Sequence, residues 1–178
     1  LDDAVRAELC PDKLNTQEWV EVISTAHSVG LNTTSTIMFG HVDSTTSWAR
    51  HLLILRKLSA RGHDKSGAAK TGKITEFVPL PFVHMEAPMF RRGTSRAGPT
   101  LRECILMHSI ARLALHPYIT NIQASWVKMG PQKAAQLLAA GCNDMGGVLM
   151  NESITRAAGA EFGQELGAAE MEKLITEA

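Results

Sequence analysis

The apolar positions of the chain change period several times, and each change marks an element. Trp19, Val22, Ile23 and Ala26 recur at helical spacing. Asn15 lies three residues before Glu18, a capping-box spacing, and Gly30 suits the position just past the helix end. Residues 1–9 carry a shorter helical pattern, stopped by Cys10-Pro11. Residues 33–39 (TTSTIMF) are rich in β-branched side chains and closed by Gly40, which predicts a strand. Trp48, Leu52, Leu53, Leu55 and Leu58 then return to helical spacing. Residues 74–80 (ITEFVPL) predict a second strand, with Pro79 near its end or where no ladder bond is needed. Thr100 and Glu103 repeat the capping-box spacing and open a helix through Ile105, Ile110, Leu113 and Leu115, ended by His116-Pro117. Residues 121–126 (NIQASW) predict a third strand. Pro131 and Gly141 bracket another helix. Residues 143–150 (NDMGGVLM) predict a fourth, glycine-marked strand, and Met171, Leu174 and Ile175 mark a final amphipathic helix.

The order is a helix, three strand–helix units, then a last strand and helix. Strand–helix alternation with short links implies an α/β fold with a parallel sheet and helices outside it. Four βα units make half of an eight-stranded barrel, which needs about 250 residues, and the chain has 178. The expected fold is therefore half of a parallel (β/α) barrel. An open doubly wound sheet competes, but no G-x-G-x-x-G follows the first strand. Residues 61–73 (RGHDKSGAAKTGK) have almost nothing to bury and read as a solvated loop insertion.

Composition narrows the function classes. Lys+Arg 18 balance Asp+Glu 18, for a net charge of +0. A nucleic-acid clamp or a membrane-surface protein would show a basic excess. No apolar run approaches the roughly 20 residues that span a bilayer, and no secretory signal opens the chain. Cys10, Cys104 and Cys142 are far apart without C-x-x-C spacing. They read as reduced thiols in an intracellular, cytoplasmic protein, with no metal ligands among them. The chain opens at Leu1 inside a helical pattern. We read it as part of a longer protein, which leaves targeting signals, organelle targeting included, upstream.

In parallel α/β folds the reactive groups gather at the carboxyl ends of the strands. Here those ends carry Gly40, His41 and Asp43, then His84 and Glu86, then Gln123, Ser125 and Lys128, then Asp144 and Gly146. Each also has a plainer role. His41 and His84 suit locally satisfied loop histidines. Asp43 or Ser44 suits a helix cap. Gly40, Gly146 and Gly147 allow positive φ, and also let a ligand approach the backbone. Gln123 in a doubly buried strand is costly unless bonded, and Glu76 poses the same problem. Lys128 follows the apolar Trp126 closely, and either a solvated charge or a pocket lining fits it. Four such strand ends together suggest a shared pocket. No nucleophile–base motif or P-loop is present.

The phrases TEFVPLPFVHMEAPM (75–89), NIQASWVKMG (121–130) and NDMGGVLMNESITRAAGA (143–160) resemble the tyrosine-using half of the FO synthase family of radical S-adenosylmethionine (SAM) enzymes. The opening LDDAVRAELCPDKLNTQEWVEVISTAH and the segment TTSTIMFGHVDS are similar too. The resemblance covers essentially the whole chain and implies the C-terminal half of a radical SAM TIM-type barrel. It implies SAM and a [4Fe–4S] cluster as cofactors, with a 5′-deoxyadenosyl radical abstracting hydrogen from L-tyrosine. The 4-hydroxybenzyl group then adds to 5-amino-6-(D-ribitylamino)uracil, toward the deazaflavin of coenzyme F420. A ring-closing radical SAM module, fused or separate, is the implied partner.

By the same resemblance, Thr36, Met38, Gly40 and Asp43 stand where such enzymes place a G-x-I-x-G-x-x-E segment beside the adenosyl group. The match departs at three places, Asp43 among them. His41, His84, Glu86, Gln123, Ser125, Lys128, Asp144 and Gly146 become substrate-binding candidates. The family's C-x-x-x-C-x-x-C is absent, so the cluster cysteines are expected outside this chain, which alone is expected to be inactive. A related menaquinone-pathway enzyme acting on a futalosine-type nucleoside is the competing reading. A non-catalytic half-barrel module is a third.

Overall fold

The structure is a computed structural model and describes residues 1–61, 71–148, 152–163 and 165–178. Among these, helices α1 (Asp3–Leu9) and α2 (Thr16–Ser28) precede strand β1 (Thr33–Phe39). Helix α3 (Thr45–Arg61) leads to β2 (Ile74–Pro81), the short α4 (Pro88–Arg91) and α5 (Leu101–Leu115). Then come β3 (Asn121–Ile122), α6 (Trp126–Met129), α7 (Pro131–Leu138), α8 (Ile154–Ala157) and α9 (Ala168–Thr176). The sheet is parallel in the order β1-β2-β3. None of the described helices is long and apolar enough to cross a membrane.

Local chemistry sets the helix starts. The Asn15 side chain accepts from the Glu18 amide while Glu18 reaches back to Asn15 N, and Thr100 and Glu103 make the same reciprocal pair at α5. Each pair satisfies two of the amides that a helix start leaves open. A Thr100→Ala substitution is expected to cost about 1 kcal/mol in urea unfolding, and an unchanged midpoint would count against the cap.

The sheet's two faces differ sharply. Phe39, Phe77 and Ile122 are fully buried against Trp48, Leu52, Leu55, Met107, Ala111 and Leu115 of α3 and α5. Burial of each such side chain is worth about 1.5–3 kcal/mol. Side chains alternate along a strand, and the register pairs Thr34 with Glu76, Thr36 with Val78, Met38 with Leu80 and Glu76 with Asn121. This second row faces away from the helices. Thr34, Thr36 and Met38 in it are exposed, Glu76, Leu80 and Asn121 are half-buried, and Val78 is buried.

Two strand expectations are corrected. The third strand stops at Ile122, and Ser125 accepts the first turn of α6 through Lys128 N. Trp126 turns into the helix layer, where its indole donates to Gly147 O at 3.1 Å. In place of the fourth strand the described residues show a single parallel bridge, Gln123 to Asp144. The reason lies in the side chains. Asn143 Oδ1 accepts from Ile122 N at 2.9 Å, a place a strand would fill with backbone, and Asp144 Oδ1 accepts from Gly146 N at 2.6 Å and turns the chain away. Gly146 takes φ +79 there, which ends extension. The expected loop 61–73 falls mostly on residues 62–70, outside the described residues. Arg61 closes α3, and Gly72 N donates to His27 O at 2.8 Å. Helices α4 and α6 were not legible as periodic patterns, each being four residues long.

Candidate functional site

The residues after β1 form a closed loop held by one carboxylate. Asp43 accepts from Gly40 N at 2.9 Å, from His41 N at 2.8 Å and from the Trp48 indole. Gly40 sits at φ +92, and a Cβ there would strike Pro99 of the loop before α5. The glycine is therefore explained by the close approach of Pro99. His41 Nδ1 accepts from Val42 N at 2.7 Å, so Nε2 carries the proton that it donates to Met38 O at 3.0 Å. Thr36, Met38, His41 and Asp43 line a cleft of about 300 Å³ together with Trp48 and His51.

Two candidates from separate parts of the sequence meet in a second cleft of about 250 Å³. His84 and Lys128 line it with Phe82, Met85, Met129 and Phe162. Lys128 Nζ donates to the buried Thr155 hydroxyl at 2.7 Å. Burial lowers the Lys128 pKa, and the charge of Glu152 opposes that shift. The His84 ring packs edge-on against Phe90 at 4.6 Å. Glu86 is not brought into the cleft: it is exposed and pairs with Arg91.

The third grouping lies on the open face of the sheet. Asn121 Nδ2 donates to Glu76 Oε1 at 3.1 Å and to Asp144 Oδ2 at 3.0 Å. Gln123 Nε2 donates to the same Glu76 oxygen at 3.0 Å. The bonding that the in-strand Gln123 and Glu76 require is thus met by each other. Burial and then the neighbouring Asp144 charge push the Glu76 carboxyl up. Gln123, Ser125 and Gly146 border a smaller recess of about 190 Å³ beside this network. Asn121 escaped the sequence reading. Its signal was the alternation of Asn121 and Gln123 with the buried Ile122 and Ala124.

Among the described residues no three His, Cys, Asp or Glu side chains converge on a metal position. Burial raises the Cys104 thiol to about 11 and the Cys142 thiol to about 12, which keeps both protonated. These residues do not fit an iron–sulfur cluster.

Residues 70–178 match the family described as the CofH/MqnC C-terminal region. This chain belongs to that family. It is 47% identical over 174 residues to the 5-amino-6-(D-ribitylamino)uracil–L-tyrosine 4-hydroxyphenyl transferase of Methanopyrus kandleri, covering 98% of this chain and 45% of that protein. It is 46% identical over 171 residues to the FO synthase of Mycobacterium leprae, covering 96% of this chain and 19% of that protein. The FO synthase of Streptomyces coelicolor is 48% identical over 163 residues, 92% of this chain and 18% of that protein. The CofH/MqnC-type chain thus spans less than half the length of each of these relatives, and the resemblance drawn from residues 75–89, 121–130 and 143–160 is borne out.

Proposed function

We propose that this chain is the C-terminal half of a radical SAM barrel in a transferase that joins the 4-hydroxybenzyl group of L-tyrosine to 5-amino-6-(D-ribitylamino)uracil. The observation that carries the reading is the sheet with one face covered by helices and the other partly open, bearing Thr34, Thr36, Glu76 and Asn121, in a chain 47% identical to a transferase named for those two substrates. An open polar face on a parallel sheet is what the interior wall of a partial barrel presents when a ligand, rather than branched side chains, fills it. The free thiols suit a reducing, cytoplasmic setting.

The cleft at Thr36 and Met38 fits an adenosyl group. It offers a hydroxyl, a thioether and the edge of β1, which no described strand pairs. Bound SAM supplies one-electron hydrogen-abstraction chemistry. The cluster ligands do not lie among the described residues. The chain's own part is to bind, orient and exclude water. Asp43 fixes the loop over the adenosyl cleft. Lys128, half-buried beside apolar walls, suits the carboxylate of an amino acid. Phe82 and Met129 shield that end from water. A ring-closing module is the partner. The mycobacterial relative, covered to 19% where the archaeal one is covered to 45%, has the additional length for it.

The test is anaerobic incubation of the complete cluster-loaded protein with SAM, tyrosine and ribitylaminouracil. Mass spectrometry is expected to show a pyrimidine carrying an added 4-hydroxybenzyl group. Conversion of a futalosine-type nucleoside with no such adduct would overturn the reading.

A further inference from the structure

The open-face network holds more hydrogen-bonding capacity than the protein uses. Among the described residues, the side-chain carbonyls of Asn121 and Gln123 accept no donor, while both amide nitrogens are directed at carboxylates. Four groups, one on β2, one on β3 and the two bridge residues, thus line up across three neighbouring segments. Adjacent strands lie about 4.8 Å apart, so the row extends over roughly 10 Å. It is acceptor-rich, half-buried and faces away from the helix layer. Holding two carboxylates side by side there is costly, since each raises the energy of the other's charge. A well-packed interior would place Val or Ile at these positions.

We propose that Glu76, Asn121, Gln123 and Asp144 form the subsite for a linear polyhydroxylated chain, the ribityl tail of the pyrimidine substrate. The inference rests on the transferase reading and says which substrate these residues meet. A polyol fits because each hydroxyl both donates and accepts, so carboxylates and amide carbonyls in a row take its protons, and the second N–H of Gln123 is left for one of its oxygens. The tyrosine carboxylate is repelled by the acid pair. A tyrosine ammonium presents its donors around one atom, whereas this row is spread over three segments. Thr34, exposed on the same face and registered with Glu76, extends the row with a hydroxyl.

Glu76→Gln separates recognition from folding. It keeps the oxygen that Asn121 and Gln123 bind and removes the charge facing Asp144. The Glu76 pKa is raised in the folded state. Its stabilising contribution is therefore present at low pH and is lost as pH rises through the folded pKa.

The experiment measures equilibrium binding to the complete protein of ribitylaminouracil, of an analogue with methylamino in place of ribitylamino, and of tyrosine. The parent, Glu76→Gln and Gln123→Leu are compared. In the parent, the ribityl compound is expected to bind at least about 10-fold more tightly than the analogue. Both variants are expected to lose about 10-fold or more for the ribityl compound, with the analogue and tyrosine unchanged and Glu76→Gln at least as heat-stable as the parent. Unchanged ribityl binding in both variants, or a loss that falls on tyrosine instead, overturns the subsite while leaving the transferase reading standing. A parent that binds neither pyrimidine overturns both.

Discussion

An Asp43→Ala variant is expected to lose about 3–5 kcal/mol of unfolding free energy, more than any other single change at the sheet's carboxyl end. The Asp43 side chain is only 3% exposed, so water cannot replace it. Removing it orphans Gly40 N, His41 N and the Trp48 indole N–H together. The damage spreads, because His41 O accepts from Arg96 N at 3.3 Å and Pro99 rests on Gly40. The loop before α5 loses its seat at both points. Asp43→Asn keeps one acceptor oxygen and is expected to lose about half as much. Urea unfolding of the three proteins checks this, and an alanine variant within 1 kcal/mol of the parent would show that the loop is held by something else.

The second large effect is expected at Arg112, a residue that touches none of the clefts. Its guanidinium donates to Gly141 O, to Thr120 O and to Asn143 Oδ1, each at 2.7 Å. One side chain on α5 thereby ties the entry of β3 to the turn that delivers Asn143 and Asp144. Arg112→Met keeps most of the apolar stem and removes all three bonds. It is expected to cost about 2–3 kcal/mol, since two of the three acceptors are open to water and recover part of the loss. Hydrogen exchange should show where the loss falls. Ile122 N, held by Asn143 Oδ1, and Ala124 N, held by Asp144 O, are expected to exchange faster, while the amides of β1 stay protected. Uniform acceleration through the whole sheet would contradict a local clamp.

The parts of the fold that were legible in the sequence are those where backbone and side chain agree. Both capping boxes stand where Asn15–Glu18 and Thr100–Glu103 spacing put them, and β1 and β2 follow their β-branched and apolar runs. The segment NDMGGVLM carries the look of a glycine-marked strand, but its polar side chains decide otherwise. Asn143 and Asp144 spend their side chains on backbone amides that a ladder would otherwise use, and Gly146 lets the chain leave. Four-residue helices such as α6 are too short to show a period.

The candidate residues sort in the same way. Thr36, Met38, His41 and Asp43 are close in sequence and share one cleft, with Gly40 beneath the Pro99 contact. His84 and Lys128 are 44 positions apart and meet only because α6 turns back toward β2's end. Glu86 is exposed and pairs with Arg91. Asn121 carries no motif that marks it for the site. Its part in the network depends on the β2–β3 register, which sequence does not show.

The decisive measurement is a crystal structure of the complete protein with ribitylaminouracil. The pyrimidine is expected against the open face of β1–β3, with its hydroxyls within hydrogen-bond distance of Glu76 or Gln123. An open face filled by apolar side chains from the rest of the protein, with the pyrimidine bound elsewhere, would contradict that placement.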